Sequence, residues 1–211
     1  MFSEVIFGAY LAYFPQGKST ISSQSRKIRN SIKGGVEDVL RQVTEHLIKS
    51  EAEKGTFASI LGSDVVLVPA PGSAPFVMGA LWPAFLIAEK LVDAGFGRKV
   101  TPGLERINPV PKSALQPRGT RPKAKKHYVT IAIKPQSLLN GERITIVDDF
   151  ITKGNTLRGA ASRIAEVYPH ANVQAFALIR TMGLQPEIEN IIDPCVGKIS
   201  LGYQGDSKRE P

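Results

Sequence analysis

Ile144-Thr145-Ile146-Val147-Asp148-Asp149-Phe150-Ile151-Thr152-Lys153-Gly154-Asn155-Thr156-Leu157 runs from an apolar segment into two adjacent carboxylates, then into a short turn bearing hydroxyls and a glycine. Ile144, Ile146 and Val147 are β-branched and follow Asn140-Gly141, a turn-forming pair, so a buried strand ending at Asp148 is expected. From Asn155 the apolar residues Leu157, Ala160, Ile164 and Val167 recur at helical spacing, with Asn155 or Thr156 available as the cap. The order is strand, tight loop, helix. In an open α/β sheet ligands bind beyond the carboxyl ends of the strands, and a helix N-terminus offers unpaired N–H groups to an anion. Gly154 allows close backbone approach, Thr152 and Thr156 add hydroxyl donors, and Lys153 adds a positive charge.

Asp148 and Asp149 are ill suited to holding an anion by charge. Ionised carboxylates only accept hydrogen bonds, so they suit a diol, and they can reach a hydrated Mg2+ through water. A phosphate on one side and a diol on the other describe a ribose 5-phosphate.

Outward from this segment, residues 36–54 carry Val39, Leu40, Val43, Leu47 and Ile48 at amphipathic spacing, which predicts a helix. Residues 64–68 form a β-branched run of the kind buried on both faces of a parallel sheet, and they lead into Pro69-Ala70-Pro71-Gly72-Ser73-Ala74-Pro75. A second helix is expected with Val77, Met78, Leu81, Trp82, Phe85, Leu86 and Leu91 on its apolar side, Trp82 in the core. Strands are expected at 7–14, as an edge strand, at 128–133, at 173–179 and, as a short final one, at 195–201. Alternating strands and helices imply a mainly parallel open α/β sheet flanked by helices, Rossmann-like, in one domain over 1–211. The loops at 69–75 and 148–156 then leave the same sheet edge and can share one ligand.

The net charge of +8 and pI of about 9.6 signal affinity for anions. Much of that charge is local. Lys112, Arg118, Arg121, Lys123, Lys125 and Lys126 fall within one stretch that also holds Pro117, Gly119 and Pro122, a long basic loop inside a compact domain. Residues 16–33 add Arg26, Lys27, Arg29 and Lys33. The single cysteine, Cys195, excludes an internal disulfide framework and a four-cysteine zinc site. His46, His127 and His170 are scattered and form no nucleophile–base arrangement. The apolar start at 1–14 contains Glu4, lacks a basic leader and is too short to span a bilayer, so a soluble, cytoplasmic protein without membrane partners is expected.

The segment from Ile144 to Thr156 resembles the phosphoribosyl-diphosphate (PRPP) motif of type I phosphoribosyltransferases. That resemblance implies that Asp148 and Asp149 hold the ribose hydroxyls while Thr152, Lys153, Gly154, Asn155 and Thr156 hold the 5-phosphate. The family usually has Thr, Ser or Ala where this chain has Lys153, which leaves that lysine to bind phosphate or to face solvent. The layout over most of the chain is similar to the ComF-like branch. Leu67-Val68-Pro69-Ala70-Pro71-Gly72-Ser73 matches its pyrophosphate loop, with Ala70, Pro71, Gly72 and Ser73 as substrate-binding residues, and 111–126 matches its flexible catalytic loop. The cysteine-rich zinc module often found at the front of such proteins has no counterpart here.

By the same resemblance, a small hood is expected from about 1–33 and 180–205, with a homodimer, Mg2+ as cofactor, and transfer of ribose 5-phosphate to an acceptor with release of pyrophosphate. Lys112, Arg118, Arg121 or Lys123 would neutralise the leaving group. Thr152 stands where 6-oxopurine salvage enzymes place an acid, which argues against hypoxanthine or guanine as acceptor. Two alternatives remain: a PRPP- or nucleotide-sensing regulator without turnover, and a nucleic-acid-associated competence factor whose binding would fall steeply with salt.

Overall fold

The computed structural model describes residues 2–112, 120–134, 142–183 and 189–211. The expected turn at Asn140-Gly141 and the basic-loop residue Arg118 lie outside the described residues.

Nine strands and five α-helices follow one another in the described residues as β1 Glu4–Tyr13, α1 Thr20–Lys33, α2 Glu37–Lys54, β2 Val66–Pro69, α3 Pro83–Asp93, β3 Lys99–Val100, β4 Leu104–Arg106, α4 Ala124–Thr130, β5 Ile131–Ile133, β6 Arg143–Ile151, α5 Asn155–Val167, β7 Asn172–Thr181, β8 Ile192–Leu201 and β9 Ser207–Glu210. Seven strands form one sheet in the order β3-β2-β6-β7-β1-β8-β9. The pairings from β3 to β1 are parallel, and the β8–β9 hairpin is added antiparallel at one edge. The protein is therefore α/β, with a mostly parallel sheet flanked by helices, and no helix among the described residues is long and apolar enough to cross a membrane.

Strict alternation along apolar strands fills both faces of the sheet. Val66, Val68, Ile144, Ile146, Ala175 and Ala177 pack with Leu157, Ala160, Ala161 and Ile164 of α5. Leu67, Val147, Phe176 and Leu178 face the other way, onto Ile32, Leu40, Leu47, Ile87, Ala88 and Leu91 of α1, α2 and α3. On α5, Gly159 lets α4 lie close: a Cβ there would come within 2.7 Å of the His127 Cβ and 2.8 Å of the Ala124 carbonyl oxygen.

Several sequence expectations change. The strand expected at the edge, β1, lies inside the sheet between β7 and β8. Residues 1–33 and 180–205, expected as a hood, contribute β1, the end of β7 and β8 to the sheet itself. Residues 76–81 are not helical. Gly79 takes φ +81°, and Pro83 opens α3 at its first turn, where the missing N–H costs nothing, so Val77 and Met78 stay 68% and 94% exposed. The alternation at 128–133 is overridden because Ala124, His127 and Thr130 form a buried helical face against α5; only β5 is extended, pairing with β4 in a separate ribbon. The short final strand is ten residues long and continues into β9.

Candidate functional site

Parallel pairing brings the two loops together. β2 and β6 are in register from Val66↔Ile144 to Pro69↔Val147, and one step further the Ala70 N–H donates to the Val147 carbonyl at 2.7 Å. Ala70, Pro71, Gly72 and Ser73 thus leave the sheet beside Asp148 and Asp149. Three donors hold the loop: Trp82 Nε1 to Ala70 O (2.8 Å), Arg106 Nε to Gly72 O (2.9 Å) and Val110 N to Ser73 O (2.8 Å). With the carbonyls turned inward to these donors, Gly72 is exposed, and a Cβ there would meet only one atom within 4 Å. The loop's open side is free to receive a ligand.

Arg106 escaped the sequence reading. It is 3% exposed, donates through Nη1 to Thr130 Oγ1 at 2.6 Å and through Nη2 to His127 Nδ1 at 3.2 Å. Accepting at Nδ1 requires neutral His127 with its proton on Nε2. Burial, reinforced by Arg106, pushes that imidazole down to about 4. Burial also lowers Arg106, to about 10, while the charge of Asp148 pulls the other way; the guanidinium therefore stays charged at neutral pH and within electrostatic reach of the acid pair. The signal available in sequence was an arginine two residues after Leu104, on the same side of a short strand.

The two carboxyls differ in their surroundings. Asp148 Oδ1 accepts the Asp149 N–H at 2.9 Å, and its pKa is raised well above the usual carboxylate range by burial and then by the charge of Asp149. Asp149 pairs with Lys33 Nζ of α1 at 2.9 Å. Two crowded acids, with one exposed lysine paired to Asp149, favour an added donor or cation.

The turn into α5 departs from expectation. β6 continues past Asp148 to Ile151, and the cap position belongs to Gly154 (φ +84°), with no side-chain cap; Asn155 and Thr156 are already helical. A Cβ on Gly154 would come 2.8 Å from Ile199 of β8, so glycine is needed for both conformation and space. Asn155 is a bracket: Nδ2 donates to Asp206 Oδ1 (2.7 Å) and Pro122 O (3.1 Å), and Oδ1 accepts from the Ser207 N–H (2.9 Å). Lys153 forms an ion pair with Asp206. Burial opposes charge on Asp206, but Lys153 and Asn155 hold its carboxyl below the usual range. Arg209 of β9 donates to the carbonyls of Ile151 and Thr181, and burial followed by repulsion from Arg180 pushes it down to about 10. Thr152, before the turn, and Thr156, in the first turn of α5, are both half-buried.

The described ends of the basic segment reach both loops. Lys112 is exposed two residues beyond the Val110 anchor on Ser73, and at the other end Pro122 accepts from Asn155. Half-buried Arg121 has an Nε that meets no partner among the described residues. Lys123 donates to Gln204 O at 2.8 Å, which ties it to the turn at 203–205. Among the described residues no group of three or more His, Cys, Asp or Glu could hold a metal. Two adjacent carboxylates fit a hydrated Mg2+ touched by one or two acids. No protein-family model and no curated protein matches this chain.

Proposed function

We propose that the protein binds PRPP in the manner of a type I phosphoribosyltransferase and transfers ribose 5-phosphate to an acceptor. The observation that carries this reading is the crowded Asp148–Asp149 pair, set at the carboxyl edge of a parallel sheet between an anchored loop at 70–73 and the start of α5. Asp148 and Asp149 accept the ribose hydroxyls, Asp149 releasing Lys33 as it does so. The amides at Gly72 and Ser73 face the diphosphate, and Arg106 adds fixed positive potential behind them. Thr152, Thr156 and the first α5 amides take the 5-phosphate. Lys112, Arg118 and Arg121 serve the leaving group by neutralising its charge. Mg2+ bound with the diphosphate supplies Lewis-acid polarisation of the leaving group. Positioning and electrostatics suffice, with no covalent residue.

Calorimetry with PRPP and Mg2+ tests the reading. Asp149→Asn is expected to weaken binding at least about tenfold, corresponding to about 1.4 kcal/mol; wild-type affinity in that variant removes the ribose role. Pyrophosphate release across an acceptor panel separates a transferase from a sensor with the same site.

A further inference from the structure

Beside Asp149 lies a cluster that PRPP contacts do not use. Phe150, the next residue of β6, meets Tyr13 at the end of β1 edge-to-face, with ring centroids 5.4 Å apart, and both rings are half-buried. α1 lays two cations over them. Arg29 stands 5.8 Å from the Phe150 centroid and 5.9 Å from that of Tyr13, and Lys33 Nζ stands 5.2 Å over Phe150 while bonded to Asp149. One lysine therefore spans the carboxylate and the aromatic surface.

The charges there do not balance. Arg41, Arg98, Arg143 and Arg163 each meet a carboxylate. Among the described residues Arg29 meets none: its Nη1 donates to the amide oxygen of Asn30 at 2.8 Å, and its Nε is buried without a partner. A flat guanidinium beside two aromatic rings suits a flat ring by stacking and an anionic substituent by paired hydrogen bonds. A neutral ring would satisfy the stacking and leave the guanidinium unmatched.

We propose that Tyr13, Phe150, Arg29 and Lys33 form the acceptor subsite and that the acceptor is a planar aromatic ring bearing an anionic group such as a carboxylate. This rests on the PRPP reading, because Asp149 links the subsite to the sugar. When Asp149 turns to the ribose, Lys33 is released over Phe150 and becomes a second cation for the same anion.

The test uses benzoate, benzamide and cyclohexanecarboxylate as probes, titrated into the full chain by heteronuclear NMR, with PRPP titrated separately. Benzoate is expected to bind at least about tenfold more tightly than either analogue. Arg29→Gln should abolish the preference for benzoate over benzamide while its melting temperature stays at the wild-type value. Phe150→Leu should abolish the preference for benzoate over cyclohexanecarboxylate. Equal affinity for benzoate and benzamide, or a preference that survives Arg29→Gln, overturns the proposal. Displacement of benzoate by a short single-stranded oligonucleotide with the same Arg29 dependence assigns the surface to nucleic acid and overturns the acceptor role. Selective benzoate binding without PRPP binding leaves the ring-anion site standing and removes the transferase reading.

Discussion

The loop at 70–73 and the turn at 152–156 leave the same sheet edge but are held in opposite ways. The first is fixed by backbone register with β6 and by a buried guanidinium that donates in three directions. The second is fixed from outside, by the last residues of the chain: Asp206 on Lys153 and Asn155, Ser207 on Asn155, Arg209 on Ile151 and Ile199 against Gly154. Buried, charge-assisted bonds lose a great deal when one partner goes, whereas half-exposed ion pairs lose little. In the proposed function the rigid half would face the charge developing on a leaving group, and the surface-held half a phosphate that does not react.

Replacing Arg106 breaks the comparison most severely. Arg106→Ala leaves Gly72 O, Thr130 Oγ1 and His127 Nδ1 without their donor, and is expected to cost about 4 kcal/mol in urea unfolding and to abolish PRPP binding. A loss below about 1 kcal/mol would show that the buried half is no more firmly held than the other.

Acid probes the same half more gently. Because folded His127 titrates at about 4, below its ordinary value of 6.5, the unfolded chain takes up this proton first. The stability it contributes is complete above pH 6.5 and is lost as pH falls toward 4, amounting to about 3 kcal/mol. Asp148 acts in the opposite sense, since its raised pKa favours the folded state at low pH and that contribution is lost as pH rises through the raised value. Comparing wild type with His127→Gln isolates the histidine, and the variant's stability should fall less steeply between pH 6.5 and 4. Equal slopes would mean that His127 is not buried neutral.

Asp206→Asn is the mildest change. It keeps the oxygen that receives Asn155 and removes the charge that Lys153 neutralises. Stability should move by less than about 1 kcal/mol in thermal melts. Inorganic phosphate, followed by NMR titration, should bind about threefold more tightly because Lys153 is released to it. Weaker phosphate binding would show that Asp206 matters chiefly as an anchor of the turn.

How much was legible in sequence follows the range of the interactions. The β2 run, α2 and the passage from β6 into α5 show in local periodicity and turn residues, and the amphipathic helix expected at 36–54 is α2 at Glu37–Lys54. The adjacency of residues 70–73 and 148–149 was also inferable, since parallel strands put such loops at one edge. Other features were not legible. The apolar run of β1 has the same composition at an edge or in the interior, and only its pairing with both β7 and β8 decides. The strand-like alternation at 128–133 is overruled over residues 128–130, where α4 packs against Gly159. Lys153 reads as a free charge until Asp206, fifty-three residues later, is found beside it.

By itself the sequence determined the alternation of strands and helices, the acid pair, and the glycine at the entry to α5, because each depends on residues within a few positions of one another. Tertiary structure alone decided that Arg106 lies beneath the 70–73 loop, that Lys33 bridges Asp149 and Phe150, and that the C-terminal hairpin grips the 152–156 turn. Those contacts join residues that are far apart in the chain, and a side chain's charge state and partners are set by burial and by neighbours that local pattern does not encode.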